Sequence, residues 1–450
     1  MMMLKTFGIA LFCGLLSPSE EVLSGLSCAV SPGAMQDVLT EAILHKGLLE
    51  HHLLGLVLPN IMGEGGLLNS PTSITGLHLV KVHLPGLTVG LLPGVGVQLV
   101  IAAKLELRGN CLLGLLSELI SIFLDVNITA TVKCTNFDSG TVHVVTEDCL
   151  CIFGAMKIKL LSGLVSLSVN ELVLNKLTAT LPGLLCPVVD IVVNLVGIQI
   201  LGTLNSVIPL GAAGTVHYQL ANLPFISGLF LGLDLDGTVK QVGGSIIPHD
   251  SSPSALPLLL DKLLVMVLRQ GFMNAMLLLM IQIPSQTFSC TPEAFSSASQ
   301  LQEAIMNMAP AGCSICRGTS PLSISLTLSG NPLIFLEENK ATLELSVMIQ
   351  VSVTPLGRPI LNLLLLKADL GLNVHLSIAG GRLVLGLSLG STTFSLESSE
   401  VGISDISSLK PPCSRLLEDK FLPLLEAAVH IGIPLPNVMG ITLSKADVQI

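Results

Sequence analysis

Long windows of the chain alternate between apolar and polar residues at period two, as expected of strands with one buried face. In VNITATVKC, Val126, Ile128, Ala130, Val132 and Cys134 share one face, and Asn127, Thr129, Thr131 and Lys133 the other. LSISLTLSG (Leu322 to Gly330), TLELSVMIQVSVT (Thr342 to Thr354) and LGLNVHLSI (Leu370 to Ile378) repeat the alternation. GVGVQLVIAAKLELRG (Gly94 to Gly109) adds a long strand with Lys104, Glu106 and Arg108 outward. Runs of this length fit long, twisted antiparallel strands.

Four windows read as helices. The first opens at Ser31-Pro32, a cap and first-turn pair, and carries the apolar stripe Met35, Val38, Leu39, Ala42, Ile43 and Leu49 through to Val57. The second is ALPLLLDKLLVMVLRQGFMNAMLLLM (Ala255 to Met280), whose methionines suit either adaptable core or ligand wall. The fourth is CSRLLEDKFLPLLEAAVHIGI (Cys413 to Ile433). The third, LPGLLCPVVDIVVNLV (Leu181 to Val196), has Pro187 suited to a first helical turn. On a wheel from there, Pro187, Asp190, Asn194 and Gly197 form one narrow strip and aliphatics cover the rest. A helix apolar over most of its circumference is buried nearly all round, or presses one face into the core and another onto apolar ligand. A membrane span is disfavoured, because Asp190 at mid-depth would cost about 2.5–3.5 kcal/mol and the neighbouring patterns offer no partner spans.

The elements fall into two similar halves: helix, several strands, a cysteine-headed helix (Cys186, then Cys413) and a closing strand (Gly214 to Leu220, then Ile441 to Ile450). The most polar stretch lies between them, which puts a boundary near residue 245 and gives halves 20–245 and 246–450. This order points to an ancient duplication.

Composition explains why such a greasy chain need not be a membrane protein. Half of its 450 residues are hydrophobic and 12% are charged, with mean hydropathy +0.78. Yet there is no Trp and one Tyr, so the aromatic belt of membrane proteins is missing. The N-terminus reads as a secretory leader over residues 1–19, with Lys5 before an apolar run and small residues Ser17 and Ser19. Its removal takes Cys13 and leaves ten of eleven cysteines, an even number that suits disulfides. Asn127-Ile128-Thr129 is an N-glycosylation sequon on the polar face of its strand. The net charge of −10 and the missing basic stripe exclude nucleic acid as a partner.

No catalytic signature is present: the chain has no G-x-S-x-G, and LPGVGVQL leads into a strand where a phosphate loop would lead into a helix. His45, His51 and His52 lack a partner at metal-ligand spacing. Cys313-Ser314-Ile315-Cys316 lies in a loop-like context that suits a disulfide better than redox catalysis. The chain therefore reads as a binding protein, with no enzyme activity, cofactor or metal.

The residues carry a family resemblance. LLCPVVDIVVNLV, preceded by DCLCIFGAMKIKLLSGL (Asp148 to Leu164), resembles the BPI/LBP/PLUNC superfamily of secreted lipid-binding proteins, in its long PLUNC group. LPGLTVGLLPGVGVQL, DVNITATVK and the ending VHIGIPLPNVMGITLSKADVQI match in the same order. The resemblance implies an α+β fold shaped as a boomerang: two pseudo-symmetric β-barrels with long packed helices, joined by a central antiparallel sheet. It implies a disulfide between Cys149 and Cys186, with Cys151 as the alternative partner. It also implies one apolar pocket per half for acyl chains, which assigns lipid contact to Leu39, Ile43, Val188, Val192, Leu195, Val196, Met273 and Leu277. Few aromatics leave a wall of flexible aliphatics, suited to phospholipid or fatty-acid-like chains. The expected function is a secreted lipid carrier in mucosal innate defence. Two other readings are an ER-retained or membrane-associated lipid-handling protein and a lipopolysaccharide-binding antibacterial effector. The last is disfavoured, because 21 Lys and Arg stand against 31 Asp and Glu with no basic cluster at a strand turn.

Overall fold

The computed structural model describes residues 24–441 apart from 65–70, 114, 139, 162, 164–166, 250–258, 260, 310–320, 356 and 358. The expected leader, the C-x-x-C pair and the closing strand beyond Ile441 lie outside the described residues.

Strand β1 (Ser24–Val30) leads into α1 (Pro32–Thr40). Ser31 caps that helix, its hydroxyl accepting from the Ala34 N–H at 3.0 Å. The helix runs on through a π-helical turn (Glu41–His45) and stops at Gly47, whose φ of +65° is left-handed. A second short helix, α2 (Leu48–Leu53), follows, so the single helix expected through Val57 is broken in two.

Five strands then form the first outer sheet: β2 (Ile61–Glu64), β3 (Pro71–Leu92), β4 (Gly96–Leu113), β5 (Leu116–Asp138) and β6 (Thr141–Leu160), antiparallel in that order. The period-two pattern fixes which face is covered. In β5, Ile122, Leu124, Val126, Ile128 and Ala130 are buried, and Asn127 is exposed. The alternation then slips, and Thr131 is buried where an outward position was expected. The pairing with β6 shifts at the same place: Thr129 faces Leu150 and Thr131 faces Glu147, so β6 bulges at Asp148 and Cys149. Asp148 takes the left-handed backbone, φ +50°, at that bulge.

Helix α3 (Leu167–Gly202) holds 36 residues, a rod of ~54 Å, and begins well before the expected start at Pro187. Pro182 and Pro187 both lie inside it. Each proline removes an N–H that would bond four residues back, so tertiary packing must hold the helix at those turns. That packing is visible in Val173, Leu177, Leu181, Leu185 and Val189, spaced by four and all buried against the sheet.

The polar strip of α3 explains how the sheet ends. Strand β6 is an edge, and an edge presents unpaired backbone groups. Asp190 Oδ1 accepts from the Thr146 N–H at 3.2 Å, and Asn194 Nδ2 donates to the Val144 carbonyl at 2.9 Å. One turn on, Gly197 lets the helix close on Val144, whose side chain lies 2.8 Å from where a Cβ would sit. Two turns earlier, Cys186 is disulfide-bonded to Cys149 at the bulge, with Cα atoms 5.8 Å apart, and Cys151 is free. At the other edge, Leu172 of α3 packs on Gly63 of β2. The helix thus covers the seam between β2 and β6, which are not paired with each other. The expected barrel of this half is thus an antiparallel sheet that is open between β2 and β6, with the packed helix over the gap. Asn194→Ala is expected to cost about 1–2 kcal/mol, read by denaturant unfolding, because it strands the partly buried Val144 carbonyl.

The chain then adds β7 (Ser206–Leu210), β8 (Gly214–Leu220), β9 (Phe225–Ile226), β10 (Leu231–Gln241), β11 (Ile246–Ile247) and β12 (Leu264–Leu268). These join β1 in a central sheet ordered β12-β1-β10-β8-β7, with β9 and β11 also on β10. The window 255–280 was expected to be one helix; instead its LVMVL segment pairs with β1, and α4 covers only Gln270–Met280. β-branched Val265 and Val267 favour the strand, and β1 offered an open edge.

In the second half, β13 (Gln286–Ser289) and α5 (Ala298–Met308) precede β14 (Leu322–Glu337), β15 (Lys340–Val353), β16 (Leu361–Ala379) and β17 (Arg382–Ser398). Helix α6 (Lys410–Leu416), a π-helical turn (Leu417–Phe421), α7 (Leu422–Val429) and β18 (Ile433–Pro434) complete it. Strands β13 to β18 form a second open antiparallel sheet in sequence order. The element order of the first half is repeated. Two cores result: one lies between the first sheet and α3, and the other runs from the central sheet into the second half. Tyr218, the one tyrosine, ties these regions together, its buried hydroxyl donating to the Pro434 carbonyl at 2.6 Å.

Candidate functional site

A cavity of about 400 Å³ lies where the first sheet, α3 and the central sheet meet. One wall is the C-terminal part of α3, from which Val193, Gly197, Ile200 and Leu201 project at the i, i+4, i+7, i+8 spacing of one helical face. Met35 and Leu39 of α1 stand opposite. The floor of the sheet contributes Leu99, Val132, Cys134 and Val144. Phe225, Ile226 and Leu231 of the central sheet, with Met439, complete the enclosure.

The turn between β3 and β4 shapes the mouth. Gly94 has φ +67° and donates its N–H to the Ile226 carbonyl at 3.4 Å, so the hairpin tip reaches the central sheet. At Gly96 any Cβ would meet the Val132 carbonyl at 2.5 Å, so only glycine lets these strands approach so closely. Val95 and Phe225, 49% and 44% exposed, stand where the cavity opens.

Among the described residues, Lys133 is the one charged side chain in the lining, and its ammonium donates to Glu147. That hydrogen bond holds the Lys133 pKa above its ordinary value, with Asp148 contributing. Burial pushes the Cys134 thiol up to about 11, so it stays protonated and acts as apolar wall. No group of three or more His, Cys, Asp or Glu that could hold a metal occurs among the described residues. His45 is instead bonded to Glu41, and His52 to the Leu48 carbonyl, each at 2.8 Å.

The residues assigned to lipid contact from sequence fall in different places. Leu39 is on the cavity wall. Ile43, Val192 and Val196 are buried in the first core, and Val188 packs half-buried against it. Leu195 is exposed on the outer side of α3. Met273 and Leu277 are buried in the second core. The wall of α3 is thus one residue out of phase with the assignment: Val193 and Gly197 line the cavity where Val192 and Val196 were named. Phe225 and Ile226 had no sequence signal beyond a proline-flanked apolar pair. In the second half, a dimple of about 10 Å³ lies between β16, β17 and the late helices, lined by Leu370, Leu389, Phe421 and Leu425 among others. The resemblance implied a pocket there as well.

Models of the LBP / BPI / CETP family match the chain twice, the N-terminal domain over residues 42–199 and the C-terminal domain over residues 317–450. The chain belongs to the LBP/BPI/CETP family. Within it, the chain is 32% identical to human (Homo sapiens) BPI fold-containing family B member 4 over 87% of its length. It spans 64% of that longer relative. It is 31% identical to the mouse (Mus musculus) family B member 3, over 84% of this chain and 79% of the other. The crystal structure of lipopolysaccharide binding protein superposes with TM-score 0.58 at 16% identity, covering 92% of this chain and 93% of that one. At that identity the likeness speaks for the fold, and it agrees with the BPI-like arrangement of two sheets and helices about a central sheet.

Proposed function

We propose that the protein is a secreted lipid carrier that shelters an acyl chain in the cavity between α3 and the central sheet and performs no chemistry on it. The supporting observation is the cavity itself: about 400 Å³, walled by aliphatics, with one charged side chain already ion-paired at its rim. Each methylene moved from water into such a site gains ~0.8 kcal/mol, so a dozen give on the order of 10 kcal/mol before association costs. Polar walls would forfeit that gain. Family membership supports a lipid ligand, and the leader-like N-terminus supports secretion.

Leu201→Trp places an indole in the cavity and is expected to reduce uptake of a fluorescent acyl-chain probe at least ~10-fold. Leu195→Trp, on the outer side of the same helix, is expected to bind like the unmodified protein. Equal uptake by both variants would move the site elsewhere. Expression in cultured cells should place the full chain in the medium; a protein held in the pellet after alkaline carbonate extraction would contradict the secreted reading.

A further inference from the structure

We infer that Cys290 and Cys413 are the site of a second disulfide, which staples the late helix α6 to the edge strand of the second sheet. Its oxidant comes from the secreted reading proposed above, and it is independent of what the cavity binds.

The first half supplies the pattern. There a late helix is tied to its sheet at an edge strand, through Cys186 of α3 and Cys149 of β6. In the second half β13 is an edge, and Cys290 prolongs it, its N–H donating to the Leu322 carbonyl at 2.8 Å. Cys413 lies in α6, the late helix of that half. Both cysteines are buried in the same core.

The start of α5 brings them together. The Cys290 thiol donates to the Ala298 carbonyl at 3.5 Å, and Gln302, one turn on, donates to the Cys290 carbonyl at 2.6 Å. Ser297, next to Ala298, donates its hydroxyl to the Pro412 carbonyl at 2.9 Å, and Cys413 follows directly. Adjacent residues of one turn therefore anchor both cysteines. The other described free cysteines face different residues across their ladders. Cys28 lies opposite Leu233 and Met266, Cys111 opposite Ile74 and Glu118, Cys134 opposite Val144, and Cys151 opposite Ile128.

The structure shows the pair reduced. Oxidation proceeds by two exchanges with an incoming disulfide, that of a protein oxidase or of glutathione. One thiolate attacks it to give a mixed disulfide, and the second thiolate then displaces the carrier. The pair gives up two electrons and two protons, and the carrier leaves as two thiols. Burial pushes the Cys290 thiol up to about 11, and burial together with the charge of Cys290 pushes Cys413 up to about 12. So little thiolate forms in the packed protein that exchange belongs to folding, before α5 closes over the pair.

The test is peptide mapping of the full chain purified from culture medium, alkylated in denaturant without reductant. The expected result is one peptide joining Cys290 to Cys413 beside the one joining Cys149 to Cys186. Cys290→Ala, Cys413→Ala and the double variant should each lower the Tm by the same amount, at least ~5 °C, because any of them removes the bond. Both thiols alkylated while Cys149–Cys186 is intact would overturn the inference, as would either one joined to Cys313 or Cys316. Additive losses in the two single variants would also overturn it, since they describe two independent buried thiols. If Cys149–Cys186 is open as well, the chain met no oxidant and the secreted reading fails. Refolding in glutathione redox buffer then decides this inference alone: Cys149–Cys186 formed beside free Cys290 and Cys413 would overturn it.

Discussion

Val192→Asp is expected to unfold the first half of the protein, with or without lipid. Val192 is 1% exposed and sits in the core between α3 and the first sheet. A carboxylate there has no cation to pair with among the residues of that core, which are all apolar. Burying it unpaired costs several kcal/mol, and the lost valine contact adds roughly 1–2 kcal/mol. Domains are stable by only about 5–15 kcal/mol, so the variant should lose most of its cooperative melt. Thermal melts by circular dichroism check this. A variant with an unchanged Tm would mean that α3 is rotated from the position described here, with Val192 facing the cavity or the solvent. Leu201→Trp differs from it, since that change should spare the fold and reduce uptake at least ~10-fold.

The second large effect concerns the bond between Cys149 and Cys186. It closes a loop of 37 residues, which in the chain-entropy account corresponds to about 3–4 kcal/mol. Cys149→Ser with Cys186→Ser should lower stability by that amount in denaturant unfolding. The loss should fall on the first half, because this bond anchors α3 where its two internal prolines weaken it. Cys151→Ser should leave stability within ~0.5 kcal/mol, as for a residue outside the bond. Burial pushes the Cys151 thiol up to about 11, so at neutral pH it holds little thiolate to attack the nearby disulfide. Non-reducing peptide mapping should therefore recover Cys149 joined to Cys186. A Cys151–Cys186 peptide as the main species would contradict this.

Much of the architecture is written in local pattern. The strands β4, β5, β14, β15 and β16 were legible because a period of two survives along each of them. Ser31 with Pro32 announced α1 for a reason that acts within one turn. What pattern could not reveal was decided across the chain. The segment Leu264–Leu268 is apolar enough for a helix, and its state was set by the open edge of β1. Helix α3 offered no rotational phase, since aliphatics cover nearly its whole surface, so the residues named from sequence are neighbours of those that line the cavity. The phase was nonetheless present in its few polar positions. Asp190 and Asn194 meet the edge of β6, and that contact turns Val193, Ile200 and Leu201 toward the cavity. The two-half, BPI-like arrangement came with the family resemblance, and the structure adds how the first half is closed off. Among the described residues the first sheet is open between β2 and β6, and a helix covers the seam.

The central claim is that this chain carries lipid in the cavity beside α3. The most direct measurement is native mass spectrometry of the protein purified from secreting cells without added detergent, followed by lipid extraction. The account predicts a protein carrying a lipid adduct, lost on organic extraction, restored by incubation with lipid and missing from Leu201→Trp. A wild-type protein that emerges empty and takes up neither phospholipid nor a fluorescent acyl-chain probe would contradict it.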